Sequence, residues 1–138
     1  MTRQMRFCVH WSTRNVWQEL LLKKTVIKAR QSILRPNICM LLLLDGRHRL
    51  MKEILLSKGT ANSSWVPVRT IFVEALRYEA VYMILIHNHP SGCPEPSRED
   101  LVITKQIKEA GELLGIPLSD HIIIGDKCYT SLREQQMM

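Results

Sequence analysis

Two imidazoles stand two residues apart, His87 and His89, and the same segment goes on to a hydroxyl, Ser97, and a carboxylate, Asp100. They follow directly on the apolar run Val81-Tyr82-Met83-Ile84-Leu85-Ile86. In a strand, residues two apart point to the same side, so a strand ending here can aim both rings at one place. Asp100 would arrive from the start of the next helix. Two nitrogens and one oxygen leave a fourth position open, as in a catalytic rather than a structural zinc site. Ser97-x-x-Asp100 also has the spacing of a helix capping box, in which Asp100 turns back to its own backbone. The metal reading turns it toward the histidines instead. The two coexist if Ser97 caps the helix while Asp100 ligates.

The elements that must position these groups follow from periodicity and punctuation. Ser12 and Thr13 can cap a helix running to about Leu34, which Pro36 ends. Ile38 to Leu44 is an apolar run short enough for a buried strand, and Asp45-Gly46 turns it back into a strand from Leu50 to Ser57. A polar loop from Lys58 to Ser64 leads to a helix from Pro67 to Glu79, with Val68, Phe72, Ala75 and Leu76 on one face. Val81 to Ile86 is the strand that delivers the histidines. The loop 88–96 holds three prolines and a glycine, so it is ordered without being regular. Ser97 opens a helix to about Leu114, with Gly115 as its stop, and strands His121–Gly125 and Tyr129–Leu132 close the chain. This order predicts a mixed α/β sandwich.

The 138 residues suit a single domain with a core of its own. No apolar run approaches the roughly 18 residues of a membrane span, and no secretory signal core follows the N-terminus. Cys8, Cys39, Cys93 and Cys128 form no C-x-x-C pair and read as thiols in a reducing cytoplasm. The net charge of +6 is uneven: residues 1–35 hold eight Lys/Arg against Glu19 alone, which is +7, and the remainder carries eleven bases and twelve acids, −1. A solvated helix face accounts for such a segment; nucleic-acid contact is the other reading. Oligomeric state is not legible.

His-x-His-Pro followed by Ser-x-x-Asp resembles the motif of the JAMM (JAB/MPN) metalloprotease-like domains. The stretch from Ile86 to Asp100 is similar in particular to the RadC branch. So are Glu109 to Asp126 with its Asp120-His121-Ile122-Ile123-Ile124-Gly125, Tyr129 to Glu134, Ser57 to Ser64 and Phe72 to Leu76. The resemblance covers about residues 37–134. It implies a curved mixed β-sheet flanked by helices over residues 36–138, preceded by a basic helical segment at 1–35. It also implies Zn2+ held by His87, His89 and Asp100, support of a tetrahedral intermediate by Ser97, and hydrolysis of a peptide or isopeptide bond in a protein substrate. The family's DNA-repair label would put nucleic acid on residues 1–35. A non-catalytic module that binds metal or a partner is the remaining alternative.

One position departs from the pattern. The family's general-base glutamate is expected eight residues before Asp45, where this chain has Asn37. An amide can bond water but cannot take its proton. Pro67-Val68-Arg69-Thr70 offers no carboxylate either, which leaves Glu53, Glu95 and Glu99 as substitutes. Cys93 could add a fourth ligand but reads better as an ordinary thiol. His121 reads as a supporting or backbone-bonded residue rather than a ligand.

Overall fold

The computed structural model describes residues 38–58, 66–126 and 128–138. The basic segment 1–35 with its expected helix, the general-base position Asn37, and most of the loop after Lys58 lie outside the described residues. Within them the order is β1 (Ile38–Leu44), β2 (Leu50–Lys58), α1 (Val68–Arg77), β3 (Tyr82–Asn88), α2 (Arg98–Leu114), β4 (Leu118–Ile124) and β5 (Tyr129–Ser131). The strands form one sheet in the order β2-β1-β3-β4-β5. β1 is antiparallel to β2 and β3, β3 is parallel to β4, and β4 is antiparallel to β5. This is the expected mixed α/β architecture.

β1 is apolar throughout and β3 is so from Met83 to Ile86, as befits strands buried on both faces. Leu41, Leu43, Met83 and Leu85 face a core built with Ile71, Phe72 and Ala75 of α1 and Ile103 and Ile107 of α2. Leu42, Leu44, Ile84, Ile86, Ile122 and Ile124 form a second core on the opposite face. The β1–β2 turn is longer than a two-residue hairpin. Asp45 Oδ1 accepts the N–H groups of Arg47 and Arg49 at 2.8 and 2.9 Å, and His48 takes a positive φ of 59°.

Two expectations shift. On α1 the buried residues are Ile71, Phe72 and Ala75, while Leu76 is 53% exposed. At 100° per residue Leu76 lies about 90° round from the centre of that face. β4 starts at Leu118, not at His121, so His121 sits in mid-strand, wholly buried, opposite Leu85 of β3.

α2 is the element that matters for the site. Its buried positions, Asp100, Ile103, Thr104, Ile107 and Gly111, make a single stripe against the sheet. The stripe is apolar in the body of the helix, but its first turns carry Asp100 and Thr104. β3-α2-β4 is a strand-helix-strand unit with parallel strands, so the start of α2 lies by the C-terminal ends of β3 and β4, where such folds gather functional groups. Gly115 stops the helix with a left-handed φ of 73°.

Candidate metal centre

His87 is the penultimate residue of β3 and is paired with Cys39 of β1 and Ile123 of β4. His89 lies just past the strand end, held by its N–H on Ile124 O at 2.9 Å. Asp100 is 3% exposed in the first turn of α2. The three side chains meet as the alternation rule requires. His87 Nε2 and His89 Nε2 are 3.0 Å apart, Asp100 Oδ1 is 3.2 Å from His87 Nε2, and Asp100 Oδ2 is 3.0 Å from His89 Nε2.

Asp100 satisfies both roles open to it. Its Oδ2 accepts the Ser97 N–H at 2.8 Å while Ser97 Oγ accepts the Asp100 N–H at 3.1 Å, a complete capping box. The same carboxylate faces both imidazoles. Ser97 is thus a helix cap beside the cluster. A hydroxyl that accepts an N–H keeps its own hydrogen to donate.

The second ring nitrogens are engaged on the far side. His89 Nδ1 donates to Cys93 O at 2.9 Å, since a carbonyl can only accept. That leaves neutral His89 with a bare Nε2 toward the cluster. His87 Nδ1 is 2.8 Å from His121 Nε2, and His121 Nδ1 is 2.6 Å from Thr104 Oγ1. Burial pushes the His121 imidazole down to about 3, so it is neutral in ordinary buffers. Burial also lowers His87, against the pull of the Asp100 carboxylate. His89 is raised by its contact with that carboxylate. For Asp100, burial works upward, but the two imidazoles and the Ser97 N–H outweigh it and hold the carboxyl well below the usual range.

The donor set therefore suits a cation. Two imidazole nitrogens and an ionised carboxylate face one another, and the ligand atoms all lie within 4.8 Å. A tetrahedral zinc with bonds of about 2.0–2.1 Å needs donor atoms about 3.3 Å apart. The 3.0–3.2 Å separations are close to that edge. His87, His89 and Asp100 form a possible metal site.

The other candidates do not join it. Cys93 is exposed and serves through its backbone carbonyl, not its thiol. Glu95 and Glu99 are exposed and outside the cluster. Glu53 pairs with Leu42, whose side chain belongs to the sheet face opposite the one bearing His87, so it cannot reach the cluster. Thr104 escaped the sequence reading. Its only signal is a hydroxyl four residues after Asp100 in an otherwise apolar stripe. No disulfide joins Cys39, Cys93 and Cys128, and among the described residues no helix is long and apolar enough to cross a membrane.

A model of the RadC-like JAB domain matches residues 18–137. The chain belongs to the RadC-like JAB domain family. The match takes in both the described domain and the second half of the basic segment. Curated relatives agree with it. A UPF0758 protein of Geotalea uraniireducens is 48% identical over 104 residues, 75% of this chain and 46% of that protein. One of Geobacter sulfurreducens is 53% identical over 97 residues, 70% of this chain and 42% of its own length. One of Clostridium perfringens is 43% identical over 106 residues, 77% and 47% respectively. The chain spans less than half the length of these relatives.

Proposed function

We propose that this RadC-like domain is a zinc-binding module of the JAMM metallopeptidase type, with its peptide- or isopeptide-hydrolysing chemistry impaired at the proton-transfer step. The observation that carries the reading is the convergence of His87 Nε2, His89 Nε2 and Asp100 on one point, with both second ring nitrogens already bonded elsewhere. His87, His89 and Asp100 would hold the ion. When bound, zinc supplies a water-derived nucleophile at neutral pH and a Lewis acid for the scissile carbonyl. Asp100 is kept ionised by its neighbours, as a ligand must be. Ser97, at the start of α2, would donate its hydroxyl hydrogen to a developing oxyanion, a contact worth a few kcal/mol. Asn37 stands where the family resemblance calls for a glutamate, and an amide does not accept a proton. A missing general base slows such a reaction by about 10²–10⁴-fold.

The test pairs metal content with activity. Wild type is expected to hold one zinc per chain, and His87→Ala to lose it. Peptide or isopeptide cleavage should be faint in wild type and rise in Asn37→Glu. No zinc in wild type, or unchanged zinc in His87→Ala, would sink the metal reading. Fast cleavage by wild type would show that position 37 is not the missing base.

A further inference from the structure

Both described helices lie on one face of the sheet. Ile71, Phe72 and Ala75 of α1 and Ile103 and Ile107 of α2 all pack on the face that carries Leu41, Leu43, Met83 and Leu85. The opposite face is equally apolar and equally buried. Leu42, Leu44, Ile122 and Ile124 are 0% exposed, Ile86 2% and Ile84 6%. The partly buried residues packed against them, Met40, Leu50, Tyr82 and Tyr129, all belong to the strands themselves. Side chains on a sheet face stand away from it, so burial this complete needs a second layer above them. Among the described residues neither helix supplies that layer.

We propose that this far face is the docking surface for the chain's own N-terminal segment, residues 12–34, which makes the basic segment a layer of the domain and not a separate arm. The family match starts at residue 18, 20 residues ahead of β1, so the family's domain does not begin with the sheet. The chain also enters β1 beside this face. Asn88, in alternation with Ile84 and Ile86, ends the face, and its Oδ1 accepts the Ile38 N–H at 2.6 Å. The four steps from Leu34 to Ile38 span at most about 14 Å, which keeps the end of the segment close to the sheet. The near face is already filled by α1 and α2.

The sequence pattern fits this occupant. The helix expected from Ser12 to about Leu34 would be about 34 Å long, enough to cross seven-residue strands of about 24 Å. At 100° per residue, Val16, Leu20, Ile27 and Leu34 fall within about 40° of one another, whereas Arg14, Lys24 and Lys28 lie about 80–160° from Val16. Lys23 and Arg30 fall near the apolar line, where their long stems would lie along the sheet with the charged heads at its rim. The positive charge would then be carried across the sheet from His87, whose side chain shares the face of Leu85.

The full chain, labelled at its isoleucine, leucine and valine methyl groups, tests this. Nuclear Overhauser contacts are read from the δ1 methyls of Ile84, Ile86, Ile122 and Ile124. A mixture of labelled and unlabelled chains, with an isotope filter, picks out contacts between chains. Leu20→Asp and Lys28→Gln are compared with wild type by denaturant unfolding. We expect contacts within one chain to the methyls of Leu20 and Ile27. Leu20→Asp should lower the folded-to-unfolded ratio by about 10–150-fold, the range for one aliphatic side chain removed from a core, and Lys28→Gln should leave it unchanged. Contacts found only between chains would make the face an interface with a second copy and overturn the proposal. So would contacts only to residues 59–65, no contacts beyond the sheet, or a Leu20→Asp protein as stable as wild type. Where Leu20→Asp does not fold, the wild-type contacts decide alone.

Discussion

Replacing Asp100 by Asn separates the two roles this side chain holds at once. In wild type, Oδ2 accepts the Ser97 N–H at 2.8 Å and Oδ1 faces His87 Nε2 at 3.2 Å. In Asp100→Asn the amide oxygen can keep the first contact, and the amide NH2 can donate to His87 Nε2 in the tautomer that leaves this nitrogen without a hydrogen. One hydrogen bond contributes about 0.5–1.5 kcal/mol, so the metal-free variant should unfold within about 1 kcal/mol of wild type. Asp100→Ala leaves a capping N–H unpaired and should lose about 1–3 kcal/mol. With zinc the order changes. At a free zinc level about 100-fold above its Kd, wild type gains about 2.7 kcal/mol. For a domain of this size that is a rise in Tm of roughly 8–13 °C. Loss of an anionic ligand should weaken binding by at least the roughly 100-fold that losing an outer partner can cost. At the same zinc level the asparagine variant then gains only about 0.4 kcal/mol, or roughly 1–2 °C. Thermal unfolding with and without zinc reads all four values. A full zinc-induced shift in Asp100→Asn would refute the role of the carboxylate as ligand. A metal-free Asp100→Asn as damaged as Asp100→Ala would show that the charge, not the cap, holds this turn.

Two further outcomes are expected. A Cβ at Gly125 would lie 2.4 Å from Gly92 O and 2.9 Å from Pro94 N, both in the loop that supplies the Cys93 carbonyl to His89. Gly125→Ala should therefore displace that loop and cut zinc affinity by about 10–100-fold; binding as tight as wild type would show that the loop does not position His89. His121 is held near 3, below the usual unfolded value of about 6.5, so the unfolded chain takes up a proton first as pH falls. Its contribution is intact above about pH 6.5 and is lost as pH falls toward about 3, at a slope approaching about 1.4 kcal/mol per pH unit. His87, also lowered, adds to that slope, and His89, raised by Asp100, opposes it. Denaturant unfolding of metal-free protein should show the pH dependence flattened in His121→Asn, and an unchanged slope would mean that His121 is not buried neutral.

What the sequence made legible was local. β1 has the bounds that its apolar run implies, and Ser97 and Gly115 mark the two ends of α2 because capping chemistry depends on neighbours in the chain. The convergence of His87, His89 and Asp100 was legible too, since strand alternation and a helix start dictate it. Leu76 was misplaced because a hydrophobic residue near the edge of a helix face is decided by packing, not by type. His121 was read at a strand edge because Leu118, Ser119 and Asp120 carry mixed polarity. The Asp120 carboxylate is buried there on the His121 N–H, Ser131 Oγ and the Arg133 N–H, and the last two contacts appear only once β5 and the following turn fold back. Thr104 was invisible for a related reason. Its hydroxyl gains meaning from a parallel strand pairing, Leu85 with His121, that brings residues 17 positions apart in sequence into contact.

The central claim is that two imidazoles and one carboxylate hold a metal ion, and X-ray absorption at the zinc edge of the loaded protein tests it most directly. The expected spectrum has about four light scatterers at about 2.0–2.1 Å, with the outer signals of two imidazoles and no sulfur. One equivalent of zinc should remain after dialysis, and none in His87→Ala. A sulfur shell at about 2.3 Å, or a protein that retains no zinc, would contradict the account.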